Sequence, residues 1–329
     1  MADHRTPVFL DCDTGIDDSL ALLYLLSRPD VELVGVASTA GNVPTDVVVA
    51  NNLAWLDFCG RPEVPVHPGS PGPLVAPLRT AEDTHGPHGV GHSQLPPATV
   101  TASPVDARRA WVRAAAAHAG DLVGLAIGPL TNLALALRDD PYLPARLDRL
   151  VIMGGAFGVP GNTTPVAEWN MVVDPEAAAE VLAAFSRPDA ADVLVCGLNV
   201  TEQMILTPDD LARLLESCDG APLARHLADA LRFYFEFHRA QDEGYLAYAH
   251  DPFAAMVALD PGRVESSPAH VAVELDGTLT RAMTVADRRG LLGPPNARIV
   301  TAADTATMMA ELVDALAELA GRTGVESRR

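Results

Sequence analysis

The sequence predicts an α/β protein on a doubly wound, mainly parallel central sheet flanked by helices, with a small β addition near the C-terminus. Three observations carry that prediction. Short β-rich apolar runs followed by amphipathic stretches recur five times, the pattern of βαβ units whose sheet is buried on both faces. Small and polar residues collect directly after the runs, where ligands of such sheets sit. No internal repeat or linker interrupts the series, so residues 1–329 read as a single domain.

In chain order, Val8–Leu10 reads as a strand followed by a helix at Ser19–Leu26, and Leu33–Ala37 is followed by Thr45–Phe58. Between Pro62 and Pro104 the chain is rich in Pro, Gly and His, a long loop of the kind that forms a lid or an insertion. Its histidines, His85, His88 and His92, have the chemistry for zinc, but imidazoles on a Gly/Pro loop are expected to be solvated. The strand–helix pattern resumes with Leu122–Ile127 and Leu130–Leu137, Leu150–Met153 and Pro175–Phe185, and Val193–Cys196 and Pro208–Glu216. From Ala269 two alternating segments, Val271–Leu275 and Leu279–Val285, precede an apolar run at Ala297–Val300 and a helix from about Ala303 to Ala320. The ends, Asp3–Thr6 and Glu326–Arg329, are expected to fray.

Composition narrows the function. A formal charge of −20 works against binding nucleic acid or an anionic membrane. No apolar run approaches the roughly 20 residues of a membrane span, and the N-terminus carries no basic-then-apolar leader, so a cytoplasmic location is expected. Cys12, Cys59, Cys196 and Cys218 lack zinc or CxxC spacing and read as reduced, mostly buried thiols. The chain has no lysine, which removes Schiff-base chemistry and any lysine-dependent phosphatase.

The densest chemistry lies just after the first strand, where Asp11, Asp13, Asp17 and Asp18 crowd one turn around Gly15. Helix capping accounts for one or two of them. Four uncompensated carboxylates repel one another unless a cation joins them or their pKa values rise. Oxygen ligands in this number suit calcium better than magnesium. Further on, His250-Asp251-Pro252 precedes an apolar helix, which fits Asp251 as an N-cap with proline at the first helical position. Gly161–Pro165 and Glu168-Trp169-Asn170 supply amides and a carboxylate suited to a polyol.

In order along nearly the whole chain stand DCDTGIDD from Asp11, AGN at Ala40–Asn42, HGPHGVG from His85, AIGPLTN from Ala126, MGGAFGVPGNTTPVAEWN from Met153, DPEAA from Asp174, HDP at His250–Pro252 and LTRAMTVADRR from Leu279. This series resembles the nucleoside hydrolases, the inosine-uridine-preferring nucleoside N-ribohydrolase family. The resemblance implies an N-glycosidase that splits ribonucleosides into base and ribose with one bound Ca²⁺. It implies Asp13, Asp18 and Asp251 as metal carboxylates, with the backbone carbonyl of Ile127 and the ribose 2′- and 3′-hydroxyls completing the sphere. Asp17, Asn170 and Glu168 would hold the ribose hydroxyls, Asn162 the 5′ end, Asn42 the base and metal shell, and Met153 would pack near the sugar. A metal-held water would attack with Asp13 as general base, through an oxocarbenium-like transition state stabilised by the carboxylates. His250 would protonate the leaving base or relay its proton.

The resemblance also implies a homodimer or homotetramer. Thr14 stands where the family commonly has proline, which predicts a small change in turn rigidity. The stretch Phe233–Tyr248, expected to line the nucleobase pocket, matches the family poorly. His238, Gln241 and Tyr245 are its candidates for base contact, beside core and surface roles. Nucleosides are expected over 5′-nucleotides, whose phosphate would be repelled near Glu168.

Two other readings stand beside this one. Asp11-Cys12-Asp13-Thr14 after a strand resembles the nucleophile loop of haloacid-dehalogenase-like phosphatases, with Asp11 as nucleophile and Mg²⁺ as metal. The missing lysine, the Asp17-Asp18 pair and the later motifs oppose it. A calcium-dependent nucleoside or ribose binding protein without turnover would keep the same pocket.

Overall fold

The computed structural model describes residues 5–218 and 220–326. The elements in order are β1 (Thr6–Cys12), α1 (Ile16–Ser27), β2 (Val31–Ser38), α2 (Thr45–Phe58), β3 (Val66–Pro68), α3 (Glu82–His85), α4 (Ala107–Ala117), β4 (Leu122–Ala126), α5 (Thr131–Asp139) and β5 (Leu147–Met153). They continue with α6 (Trp169–Val173), α7 (Pro175–Ala184), β6 (Asp192–Cys196), α8 (Leu198–Thr201), β7 (Ile205–Leu206), α9 (Pro208–Ser217) and α10 (Pro222–Ala240). The last are β8 (Ala247–Tyr248), α11 (His250–Leu259), β9 (Val264–Val273), β10 (Thr284–Asp287), β11 (Ala297–Ala303) and α12 (Thr305–Glu326).

Nine strands form one sheet in the order β10-β9-β11-β6-β5-β4-β1-β2-β3. The pairings from β3 to β11 are parallel, and β9 and β10 add antiparallel at the edge. Alternation along each strand feeds two cores. Val8, Leu10 and Cys12 of β1, Leu125 of β4, Val151 of β5 and Leu194 of β6 face the core built with α1, α10, α11 and α12. Phe9, Ala126, Leu150, Ile152 and Val195 face the opposite core with Trp111 of α4, Leu133 of α5 and Val181 of α7. Helix α11 is buried from His250 to Ala258, as a helix apolar on all sides must be.

The doubly wound fold is present, with differences at the edges. The C-terminal β addition continues the main sheet, and the segment expected at Leu279–Val285 forms strand only from Thr284, because Leu279 lies in a turn and is 87% exposed. The closing helix starts at Thr305 and runs to Glu326, so Glu326 is helical. At the other end Thr6 already pairs with Val31, while Asp3, His4 and residues 327–329 lie outside the described residues. The Pro/Gly-rich stretch contains β3 and α3. Periodicity also passed over α4 and α10, the second of which proves central to the site.

Candidate active site

Strands β1, β2 and β3 step one way from the centre of the sheet and β4, β5 and β6 step the other, so the chain reverses between β1 and β4. The carboxyl ends of strands at such a switch point diverge and leave a crevice. Asp13 follows β1, Ile127 follows β4 and Met153 ends β5; all three line one cavity of about 390 Å³.

Asp13, Asp17 and Asp251 line its floor with Asp18 beside them, and none of the four is more than 5% exposed. Helix α1 places two of them. Asp18 caps it by accepting from Gly15 N at 2.8 Å and from Asp13 N at 3.1 Å. Asn42, from the turn after β2, donates its backbone N–H to Asp13 Oδ2 at 2.7 Å and its amide to Asp18 Oδ2 at 3.0 Å. A side chain at Gly41 would put its Cβ 2.1 Å from Asp13 Oδ2, so glycine there is what lets the two turns close on each other. Thr14 donates to Asn52 Oδ1 at 2.7 Å, a side-chain tie that fixes the turn where proline would have stiffened it.

Asp251 is not a helix cap. The N-cap of α11 is Ala249, and Asp251 sits in the first turn, within 4.8 Å of Asp17 and Asp18 by carboxylate oxygens. The tightest triple is therefore Asp17, Asp18 and Asp251, with Asp13 beside it and drawn toward Asn42. Burial, together with neighbouring charge for Asp13, Asp17 and Asp251, raises the pKa of all four carboxyls. A cation among them removes that penalty. The donors are hard oxygens, and Asn42 Oδ1 is buried without a partner nearby; the set suits calcium or magnesium better than a soft metal.

Around the floor stand the polyol-binding candidates. Asn170 Nδ2 donates to the Ile127 carbonyl at 2.8 Å and to the Met153 carbonyl at 3.3 Å, tying β4 to β5. Glu168 caps α6, its carboxylate accepting from the N–H groups of Asn170, Met171 and Gly155. Asn162 accepts from Trp169 N at 3.0 Å. Asp17, Asn42, Met153, Asn162, Glu168 and Asn170 all border the cavity.

A profile of the inosine-uridine preferring nucleoside hydrolases matches residues 8–310. The chain belongs to this family. It is 35% identical over 313 residues to the pyrimidine-specific ribonucleoside hydrolase RihA of Shewanella sp. strain MR-7, covering 94% of this chain and 96% of that one. Uridine nucleosidase 1 of Arabidopsis thaliana is 36% identical over 271 residues, 82% of this chain and 79% of that one. Among solved structures, the purine-preferring ribonucleoside hydrolase from Gardnerella vaginalis superposes with a TM-score of 0.90 at 30% identity, covering 96% and 99% of the two chains.

The wall of this nucleoside hydrolase's cavity above the carboxylates is aromatic and imidazole-rich. His250 Nδ1 lies 2.8 Å from Thr201 Oγ1 of α8. His85, expected to be solvated, is buried: Ile16 N donates to its Nδ1 at 3.1 Å and its ring leans on Tyr234 at 5.4 Å. Burial depresses both imidazoles to about 3, with the neighbouring histidines, His238 for both and His85 for His250, adding to the effect. His88 and His92 do stay outside. His238 and Gln241 border the cavity, whereas Tyr245 turns away, 39% exposed, against Phe235 and Arg239. The signal for His85 was the glycine pattern beside it: Gly86, Gly89 and Gly91 all take positive φ, so that loop is built to one shape.

Asp11 lies outside the cavity. Trp111 Nε1 donates to its Oδ2 at 2.7 Å and Asn132 Nδ2 to its Oδ1 at 3.0 Å, and burial pushes its carboxyl up to about 7. With both oxygens held by interior donors and facing away from the cavity, this carboxyl is not placed to act as a phosphoryl acceptor. All four cysteines are free and buried.

Proposed function

We propose that the protein hydrolyses the N-glycosidic bond of ribonucleosides with calcium in the carboxylate cluster and Asp13 as general base. The observation that carries this is the floor itself: four carboxylates buried together at the switch point, directly below a pocket sized for a nucleoside. When bound, calcium would supply Lewis-acid charge that orients water and the ribose diol; Asp13, Asp18, Asp251 and the Ile127 carbonyl are the proposed ligands, with Asp17 close enough to join them.

In the reaction the C1′–N bond breaks, a C1′–O bond forms from water, one water proton goes to Asp13, and the base nitrogen, leaving with the bonding pair, takes up a proton that reaches it from solvent by way of His250. The desolvated carboxylates stabilise the positive charge that grows on the ribosyl ring, and do so strongly because little water reaches them. Asn170 and Glu168, locked by backbone contacts, would present fixed polar groups to the ribose hydroxyls, and Asn162 would serve the 5′ end. His250 and His85 are neutral at pH 7, so each works as a neutral donor or orienting group rather than as an imidazolium. For His85 the Ile16 N–H occupies Nδ1 and leaves the proton on Nε2. A bound cation pushes both further in the same direction.

The test is ribose release from inosine, adenosine, guanosine, uridine and cytidine, with wild type beside Asp13→Ala. Ribose from wild type and a loss of about 100-fold or more in the variant are expected, the usual worth of a general base. No ribose from any nucleoside, in folded calcium-loaded protein, would overturn the reading and leave a binding protein. The named relatives divide between pyrimidine and purine nucleosides, so base preference rests on the pocket.

A further inference from the structure

The two edges of the main sheet differ. Val66 and His67 of β3 are buried, and Ser103 N donates to the Val66 carbonyl at 2.8 Å, so the chain itself covers that edge. At the other end β10 pairs only with β9 among the described residues. An uncovered edge strand offers its free N–H and C=O groups to another chain. Of the nine large apolar side chains exposed among the described residues, four lie on β10 or in the turns that flank it: Leu279 at 87%, Val285 at 37%, Leu291 at 72% and Leu292 at 55%. Val285 also borders a groove of about 540 Å³ walled by Phe157, Val159, Pro160, Pro165 and Val166.

Both flanking turns are held in shape by a carboxylate. Before β10, Glu274 Oε1 accepts from Asp276 N at 2.8 Å and from Gly277 N at 3.0 Å. After it, Asp287 accepts from Arg289 N at 2.8 Å and from Leu292 N at 2.7 Å. The first turn carries Glu274, Asp276 and Leu279, and the second carries Arg288, Arg289, Leu291 and Leu292. An antiparallel pair sets the end of one strand beside the start of the other. When β10 meets β10 of a second copy across a two-fold axis, the arginine turn of each chain therefore lies beside the carboxylate turn of the other, and Leu291 and Leu292 of each lie toward Leu279 of the other. The edge is complementary to itself in charge and in apolar surface, the condition for an isologous contact. A chain of net charge −20 repels its own copies, but residues 274–298 carry four arginines against three carboxylates, so that repulsion is weakest here. We propose that β10 and its two turns form the two-fold interface of a homodimer.

The experiment is sedimentation velocity on the full chain, read as the mass of the assembly, so it does not depend on the nucleoside hydrolase reading. One variant reverses the arginine turn, Arg288→Glu with Arg289→Glu, and a second reverses the carboxylate turn, Asp276→Arg with Glu274→Gln, which keeps an acceptor for the turn. Wild type should run at twice the chain mass and each variant at half of that, because both contacts now set like charges together. An equimolar mixture of the two variants should return to the wild-type mass, since the mixed pair restores opposite charges at both contacts. Leu291→Ser with Leu292→Ser changes no charge and should also halve the mass; it serves if a charge variant does not fold. A monomeric wild type, variants that keep the wild-type mass, or folded charge variants that fail to reassemble on mixing would overturn the assignment.

Discussion

Removing the proposed cation should weaken the fold in a way that grows with pH. Without it, Asp13, Asp17, Asp18 and Asp251 have pKa values raised above their ordinary 3.8 by burial, assisted by mutual repulsion at all but Asp18. The folded state then holds protons that the unfolded chain releases, and stability falls as pH rises above about 4. A cation binds the ionised form and cancels this loss. At 100 times its dissociation constant a ligand adds about 2.7 kcal/mol, and at roughly 2 °C per kcal/mol for a chain of this size the gain in Tm is about 5 °C. Asp11, with its carboxyl at about 7, also destabilises the fold as pH rises, but it sits outside the cluster and contributes equally with and without the ion. The informative quantity is therefore the difference between two melting curves. Thermal unfolding followed by circular dichroism, in chelator and in millimolar calcium at pH 4.5, 6 and 7.5, should give a gap that is smallest at pH 4.5 and widest at pH 7.5. A magnesium sample tests the choice of ion. No gap at pH 7.5, or a gap that widens toward acid, would refute the cation site.

Other changes separate the parts of the site. Gly41→Ala puts a methyl 2.1 Å from Asp13 Oδ2 and 2.9 Å from Pro129 Cγ, so kcat should fall about 100-fold as Asp13, the proposed base, is displaced; unchanged kcat by ribose assay would show that Asp13 needs no fixed position. Asp11→Asn leaves a buried donor facing Trp111 or Asn132 and should cost about 1–3 kcal/mol by denaturant unfolding. Its ribose release should stay within a few-fold of wild type, and a complete loss would restore Asp11 to the chemistry. Asn170→Ala removes the link between the Ile127 and Met153 carbonyls, and kcat/KM for any nucleoside substrate should drop about 10- to 100-fold. Inosine 5′-monophosphate should be turned over far more slowly than inosine, since its phosphate would meet Glu168; equal rates would remove that exclusion.

Much of this protein was legible in its sequence because the governing physics is local. Strand and helix alternate in apolar period, and Gly15 with Asp18 closes a capping turn within a few residues. The carboxylates of that turn announced a charge problem before any fold was known. The ordered motifs pointed to the nucleoside hydrolases over nearly the whole chain, and the family profile spans residues 8–310. Where the signal was equally local but ambiguous, it misled: Asp251 before Pro252 reads as a cap, and His85 among glycines and prolines reads as solvated.

What the tertiary structure decided is which distant groups share low-dielectric space. Asp251 belongs to the cluster because α11 packs against α1, not because of anything beside it in sequence. His85, Tyr234, His238 and His250 come from three helices, α3, α10 and α11, and meet on one wall. Tyr245, only a few residues past α10, points out to Arg239. Burial then changed the chemistry of what converged, raising carboxyls and lowering imidazoles through desolvation that no pattern in the chain encodes. Residue types are written in the sequence, but their protonation, and so their roles, depend on how much water the folded chain leaves around them.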